Sequence, residues 1–261
     1  AAGRMKQGII GRIQKEMKAK FPKHSVPDFR QYAVISEGIL AYSYLIANVP
    51  FKYPYRQVKK EFIFTDSNGV ETNVDAFGVW GYGSQYKRLR EQAEVLYVQE
   101  DEHYEMKEFA VDLCRHSKPY QVVAAMVEPK DSLTQTLDYI QNQIADLKQT
   151  DIYEHIRFLN DVDVIKLPEM FWEIDHRFDE LIGKIVKNAN PAMPIVEAKQ
   201  IIKFKLDRYG ARLESESNIF AFAAPRDFIF NRPFLVYMKK RDCEQPFFVM
   251  WVDNAELLNK K

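Results

Sequence analysis

The strongest hydrophobic pattern in this chain lies between Asp227 and Leu258, where two apolar runs flank a charged turn. Pro233 begins the first run and Pro246 begins the second. A proline is tolerated at the first residue of a strand, because its missing N–H costs little there. The runs leave little polar face, which predicts a hairpin buried on both sides. Its predicted core residues are Phe230, Phe234, Val236, Met238, Phe248, Met250 and Val252.

Two other segments repeat apolar residues every three or four positions, which is the spacing of one face of an α-helix. The longer helix is predicted to follow an N-cap at Asp131 or Ser132. Its apolar face would consist of Leu133, Leu137, Ile140, Ile144 and Leu147. A second, shorter helix is predicted from Phe178, Leu181, Ile182, Ile185 and Val186.

Residues 1–30 are predicted to form a basic amphipathic helix and a linker. They contain eight lysines and arginines against two acids. The apolar face of the helix, within residues 6–20, would consist of Ile9, Ile10, Ile13 and Met17. Such a helix either binds an anionic surface or covers a sheet with its apolar face. The linker leads to a strand predicted from about Val34 to Pro50, whose branched and aromatic residues suit a central strand.

Composition narrows the possible functions. The chain has 261 residues, 46% of them hydrophobic, which is enough for one sizeable core. Its 37 basic and 37 acidic residues give a net charge of zero, so no bulk attraction to nucleic acid or to a membrane is indicated. No apolar run approaches the 18 or so residues that a membrane-spanning helix needs. The two cysteines, Cys114 and Cys243, give no disulfide framework and are interpreted as free thiols.

No catalytic, metal-binding or cofactor-binding pattern stands out. The five histidines lack paired ligand spacing. The sequence contains no nucleophile elbow, no P-loop and no dinucleotide-binding fingerprint. We therefore predict that the protein is not an enzyme and that it carries no metal or cofactor.

Several segments together resemble the serpin family. The hairpin at residues 227–258 resembles the closing hairpin of serpins, with an F-x-x-x-x-P-F strand, a short turn and a P-x-F-M-G-x-V strand. Residues 39–55 (ILAYSYLIANVPFKYPY) resemble a central serpin strand, L-V-L-V-N-A-I-Y-F-K-G-x-W. Further resembling segments follow in the same order as in serpins, at residues 58–77, 109–129, 162–181 and 203–210.

The resemblance implies an α+β fold of several mixed and antiparallel sheets, with amphipathic surface helices and a buried C-terminal hairpin. One serpin-like domain would span residues 1–261. The resemblance begins near the end of the helix that crosses the main serpin sheet. It therefore implies that the N-terminal part of the family fold is absent, and it favours a sheet-covering role for residues 1–30.

The resemblance also implies a reactive loop at residues 211–227. In inhibitory serpins a protease cleaves this loop, which then inserts as an extra strand into a metastable main sheet. The expected scissile bond here is Ala224–Pro225, with Arg226–Asp227 as a trypsin-like alternative. Inhibitory members have small residues in the hinge, whereas this chain has charged residues there. The residues of the loop equivalent are Gly210, Ala211, Arg212, Leu213, Glu214, Ser215, Ala224, Pro225 and Arg226.

Residues 78–92 have no counterpart in the family pattern and are predicted to be an inserted loop. Glycines alternate there with aromatic residues, and three cations follow. The segment is either a flexible contact surface or an ordered local decoration. Its candidate interaction residues are Trp80, Tyr82, Lys87, Arg88 and Arg90.

These features favour a non-inhibitory serpin-like protein that acts through protein–protein contacts as part of a larger assembly. Its partner would be another protein or an N-terminal fragment of the same precursor, and a protease is a further candidate. One alternative is a protease inhibitor fragment that uses the loop at residues 211–227. Another is a carrier of a small hydrophobic ligand, bound by aromatic residues such as Trp80, Tyr82, Phe228 and Trp251.

The compartment stays open at the level of the sequence. The family resemblance implies a secreted protein. The chain contains no Asn-x-Ser/Thr sequon, which favours an intracellular or unglycosylated protein.

Overall fold

The computed structural model describes residues 2–20, 29, 37–47, 49–101, 106–187, 192–209 and 226–261. The helices are α1 (Ile9–Lys20), α2 (Lys87–Glu91), α3 (Leu133–Lys148) and α4 (Asp151–Ile156). The strands are β1 (Ala2–Arg4), β2 (Ile39–Ala47), β3 (Arg56–Gln57), β4 (Ile63–Thr65), β5 (Glu71–Asn73), β6 (Ala76–Val79), β7 (Glu94–Glu100), β8 (Met106–Asp112), β9 (Tyr120–Met126), β10 (Val164–Pro168), β11 (Met170–Arg177), β12 (Ile185–Val186), β13 (Met193–Leu206), β14 (Asp227–Ile229), β15 (Phe234–Lys240) and β16 (Phe248–Val252).

The chain divides into two compact units, where the sequence predicts a single domain. The first unit is formed by Ala1–Ile46 and Trp172–Phe204, and the second by Ala47–Phe171 and Lys205–Lys261. None of the helices in the described part of the chain is long and apolar enough to cross a membrane.

The first unit is built on a sheet in the order β1-β2-β13-β11, with β12 paired to β13. Helix α1 begins at Ile9, after a short 3-10 turn at Met5–Gln7 and Gly8 in the left-handed region at φ 70°. Arg12, Lys15 and Lys18 of this helix are exposed. Its apolar face covers residues of the sheet, as in the second interpretation of the basic segment. The buried cluster there consists of Ile9, Ile13, Met17, Phe29, Leu40, Tyr42 and Ile201.

The helix predicted from the apolar residues at 178–186 is wrong. The chain instead forms a 3-10 turn at Asp179–Leu181 and then the short strand β12. Gly183, at φ 81°, reverses the chain between them. Ile185 and Val186 then pair with β13. Strand pairing with a neighbour distant in sequence thus overrides the helical spacing of these residues.

The second unit contains two larger sheets and one small hairpin. One sheet has the order β14-β10-β6-β3, the other has the order β16-β15-β9-β8-β7, and β4 pairs with β5. The C-terminal hairpin is confirmed, because β15 and β16 pair antiparallel from Phe234 opposite Val252 to Met238 opposite Phe248. All seven residues predicted to be buried in it are buried.

The longer amphipathic helix is also confirmed, as α3. Ser132 is its N-cap, and the Ser132 side chain accepts a hydrogen bond from the Gln135 N–H at 3.2 Å. Ile140 and Ile144 are buried against residues of the five-stranded sheet of this unit. Leu133, at the start of the helix, stays exposed.

The two cysteines are free but differ in environment, which predicts unequal thiol reactivity. Cys114 is buried, and Cys243 is exposed. Burial raises the pKa of the Cys114 thiol far above its usual value, and the nearby Asp112 carboxylate raises this pKa further. Because the thiolate is the reactive form, we expect one fast thiol per native chain in a titration with a disulfide reagent at pH 8. Cys243→Ser should remove it. Two fast native thiols, or a fast thiol that survives in Cys243→Ser, would contradict this assignment.

Candidate functional site

The loop equivalent joins β13 to β14, but most of it lies outside the described residues. This applies to Gly210, Ala211, Arg212, Leu213, Glu214, Ser215, Ala224 and Pro225. The structure does describe the residues on either side, from Leu206 to Tyr209 and from Arg226 onward.

The N-terminal side is held by the backbone and by a turn. The Arg208 carbonyl accepts a hydrogen bond from the Tyr55 N–H at 3.0 Å. Tyr55 is itself buried, and its hydroxyl donates to the Leu113 carbonyl at 2.9 Å. The Asp207 carboxylate accepts from the Tyr209 N–H at 2.9 Å and pairs with Lys205 at 2.7 Å. The chain thus leaves β13 from a fixed position in the second unit.

The C-terminal side is held by an ion pair between Arg226 and the fully buried Asp163. One Asp163 oxygen accepts from Arg226 Nη2 at 2.5 Å and from Arg226 Nε at 3.0 Å. The other oxygen accepts from the Arg226 backbone N–H at 2.9 Å. The guanidinium also donates to the carbonyls of Ile156 and Phe158, at 2.8 and 2.7 Å. Arg226 is therefore fixed both at its side chain and at its backbone.

Arg226–Asp227, the trypsin-like alternative for the scissile bond, lies in this described part of the chain. A trypsin-like protease needs an extended, exposed arginine, whereas the Arg226 side chain is 14% exposed and occupied by its partners. The next residue, Asp227, already pairs with Val164 in the parallel β10–β14 ladder. In this conformation Arg226 anchors the loop.

Among the described residues, β13 is paired on both of its sides in the sheet of the first unit. Strand β13, from which the loop equivalent departs, is hydrogen-bonded to β2 on one side and to β11 on the other. A loop that entered between β2 and β13 would first have to separate them.

The segment at residues 78–92, predicted to be an inserted loop, contains regular secondary structure. Gly78 and Val79 belong to β6 and are buried. A Cβ on Gly78 would collide with the Ile165 carbonyl oxygen of the neighbouring strand. The glycine is therefore required by the close approach of β10, and the segment between the strands starts at Trp80. It contains a 3-10 turn at Ser84–Tyr86 followed by α2.

Four of the five candidate contact residues in this segment are at least partly accessible. Tyr82 is 56% exposed, and Lys87 and Arg88 are exposed. Trp80 is half-buried beneath the guanidinium of Arg56, whose Cζ lies 4.9 Å from the indole centroid.

Arg90, the fifth candidate, is not a surface cation. It is buried, its Nε donates to the Asp163 carbonyl at 3.1 Å, and its Nη2 donates to the Gly81 carbonyl at 2.8 Å. Burial lowers the pKa of the Arg90 guanidinium, and the negative charges of Asp161 and Asp163 oppose that change. Arg90 thus ties α2 to the segment in front of β10.

Asp163 is the central residue that the sequence does not reveal. It anchors Arg226 through its carboxylate and Arg90 through its carbonyl. Its partners lie 63 and 73 residues away in the chain. In the sequence, Asp163 is recognisable only as an acid directly before an apolar strand. This signal does not distinguish a buried acid from an exposed one, because exposed acids are also common at that position.

Comparison with known proteins supports the fold. No family model matches the chain, and no curated protein sequence matches it. Among solved structures, the chain is similar to the crystal structure of native protease nexin-1 with heparin, a serpin, with a TM-score of 0.56 and 12% sequence identity. The similarity covers 95% of this chain and 66% of the protease nexin-1 chain, so this chain spans less than two thirds of that relative. The fold of this chain is therefore serpin-like.

Proposed function

We propose that this chain is a non-inhibitory serpin-like protein that acts through protein–protein contacts. The anchored Arg226 carries the proposal, because the loop equivalent is held at the position where a trypsin-like protease would have to cut.

The hinge sequence supports the same reading. If the segment inserted as a strand, alternation would put Ala211, Leu213, Ser215 and Ser217 on one face and Arg212, Glu214, Glu216 and Asn218 on the other. Inhibition by insertion is a race against hydrolysis of the trapped intermediate. Charged side chains, which lose hydration when a sheet takes them up, slow the insertion.

The other expected scissile bond is also unfavourable. Ala224 is followed by Pro225. A proline after the cleaved bond is a poor protease substrate, since the residue lacks an N–H and has a fixed φ. Neither candidate bond is therefore a favourable cleavage site for a target protease.

Exposed residues after β6 support a role in protein contact. Tyr82, Lys87 and Arg88 combine an accessible aromatic ring with two cations on one short segment. Arginine and tyrosine are enriched at protein interfaces. Whether the partner is another subunit or a fragment of the same precursor stays a prediction.

A carrier of hydrophobic ligands is less well supported. Two cavities of the second unit are lined largely by charged side chains. Of the aromatic residues considered for a carrier, Phe228 is fully buried in packing with Phe109, at a centroid distance of 5.3 Å.

The proposal predicts that no protease is trapped, whether or not the loop equivalent is cut. The chain would be incubated with trypsin-like, chymotrypsin-like and elastase-like proteases, with an inhibitory serpin run in parallel. Denaturing gels should show no SDS-resistant complex with this chain. The thermal midpoint should stay within a few degrees after the loop is cut, because no new strand enters the sheet.

A hinge variant provides the matched comparison. Arg212→Ala, Glu214→Ala and Glu216→Ala, combined in one chain, remove the three charges and leave the anchor at Arg226 intact. If the natural chain itself traps a protease, or gains a large rise in thermal midpoint on cleavage, the protein is an inhibitor and the proposal is wrong.

A further inference from the structure

A cationic cavity of about 610 Å³ lies in the second unit, and Asp163, the loop equivalent's anchor, is not among its lining residues. No feature of the family resemblance predicts it. It is lined by Arg56, Gln57, Val58, Lys59, Lys60, Glu61, Trp80, Lys166 and Arg208.

The lining has a marked excess of positive charge. It holds five cations, and Glu61 is the one acid among the lining residues. The side chains of Lys59, Lys60 and Lys166 form no ion pair with the residues that the structure describes. Like charges gathered around a concave surface repel one another and attract anions, since the low-dielectric walls focus the field.

Strand register brings two of the cavity's cations to the same face of the sheet. Arg56 on β3 and Lys166 on β10 both lie opposite Gly78 of β6. Residues aligned across neighbouring strands share one face of the sheet. These two cations thus stand on one face of the sheet, on either side of Gly78.

Arg56 is held in place for binding. Its Cζ lies 4.9 Å from the Trp80 ring centroid and 4.7 Å from that of Tyr86. Its Nη1 donates to the Tyr86 hydroxyl at 2.6 Å. A guanidinium has five N–H donors, so this fixed side chain keeps others for a ligand.

Arg208 adds a buried donor without an acceptor. Its Nε is buried and makes no hydrogen bond with the described residues. A buried donor left unsatisfied is costly, and such groups in native proteins call for a partner. An anion in the cavity would supply the acceptor.

We propose that this cavity binds a small multivalent oxyanion that carries phosphate or sulfate groups. Its volume is within the range of small-molecule sites. Guanidinium forks suit tetrahedral oxyanions geometrically, and lysine adds point charges. The number of cations favours a ligand with several negative charges, because a single carboxylate would leave most of them uncompensated.

The test is calorimetric titration of the full chain at low ionic strength. Inorganic tripolyphosphate is the phosphate probe, a polysulfated disaccharide is the sulfate probe, and acetate is the monovalent control. We expect one site per chain, binding that weakens as salt is added, and no detectable binding of acetate. The tighter of the two polyanion probes identifies the natural chemistry.

Variants locate the site. Lys166→Gln and Arg208→Gln should each weaken binding about tenfold, the lower end for a lost charge-assisted hydrogen bond. Lys240→Gln removes the same charge from the exposed end of β15 and should change the affinity less than twofold. Lys59→Gln, at an exposed position, replaces Arg208→Gln if that variant does not fold.

Two results would overturn the proposal. One is the absence of binding of either polyanion at millimolar concentration and low salt. The other is binding that Lys166→Gln, Arg208→Gln and Lys240→Gln all weaken equally, since this would reflect net charge rather than the cavity.

Discussion

Phe234→Ala and Phe248→Ala are each expected to lower the free energy of unfolding by about 3–5 kcal/mol. Phe234 is fully buried, and its ring centroid lies 5.4 Å from that of Phe230 and 6.3 Å from that of Phe64. Phe248 is buried on β16, opposite Met238 of β15. Alanine at either position removes a large apolar surface and leaves a cavity between strands that cannot close around it.

Phe247 offers a matched control one residue away. Its side chain is 43% exposed and touches Tyr120 edge-on at 5.5 Å. Phe247→Ala should therefore cost about 1 kcal/mol or less. Denaturant unfolding of the three variants measures the difference. If Phe234→Ala and Phe248→Ala each cost under about 1 kcal/mol, the hairpin does not form the stability core of this unit.

The elements that the sequence predicts best have local causes. Pro233 and Pro246 mark the starts of the hairpin strands. The apolar runs that follow have little polar face, so the strands are predicted to be buried on both sides. For helix α3, the N-cap Ser132 and the apolar residues repeated every three or four positions lie in one continuous segment. Such signals need no knowledge of distant residues.

The misread elements depend on neighbours that are distant in the chain. The residues at 178–186 have helical spacing, but pairing with β13 makes them a turn and a strand. The sequence places Gly78 in an inserted loop. In the structure it belongs to β6, and the carbonyl oxygen of Ile165 on the neighbouring strand leaves no room for a Cβ there. Arg90 looked like an exposed cation because its acceptors, Gly81 and Asp163, cannot be identified before the chain is folded.

The sequence does not reveal how the described end of the loop equivalent is held. The resemblance implies a loop equivalent at residues 211–227, and the described strands on either side of it are β13 and β14. It did not indicate that Arg226, a candidate cleavage residue, pairs with an acid 63 residues earlier. Likewise, the cationic cavity gathers Arg56, Lys166 and Arg208 from three separate segments, and no spacing in the sequence links them.

Asp163→Asn is expected to cost about 3–5 kcal/mol of unfolding free energy, the range for breaking one partner of a buried ion pair. Asparagine keeps the shape of the side chain but only one acceptor oxygen, whereas the backbone N–H groups of Asn160 and Arg226 bond to different oxygens of Asp163, so one of them loses its acceptor. The negative charge opposite a guanidinium whose side chain is 14% exposed is lost as well. The uncompensated charge of Arg226 should then favour states in which the residue reaches water.

The greater accessibility of Arg226 in Asp163→Asn leads to a second prediction, which concerns proteolysis. Trypsin should cleave after Arg226 at least several-fold faster in Asp163→Asn than in the natural chain, because the arginine is no longer held by its partner. Asp161→Asn removes an exposed carboxylate two residues away, and it should change stability by about 0.5 kcal/mol or less and leave cleavage at Arg226 unchanged. A natural chain that trypsin already cuts rapidly after Arg226, or an Asp163→Asn variant as stable as Asp161→Asn, would show that the ion pair does not anchor the loop. Both measurements use the same folded chain, so stability and accessibility can be compared directly at one residue.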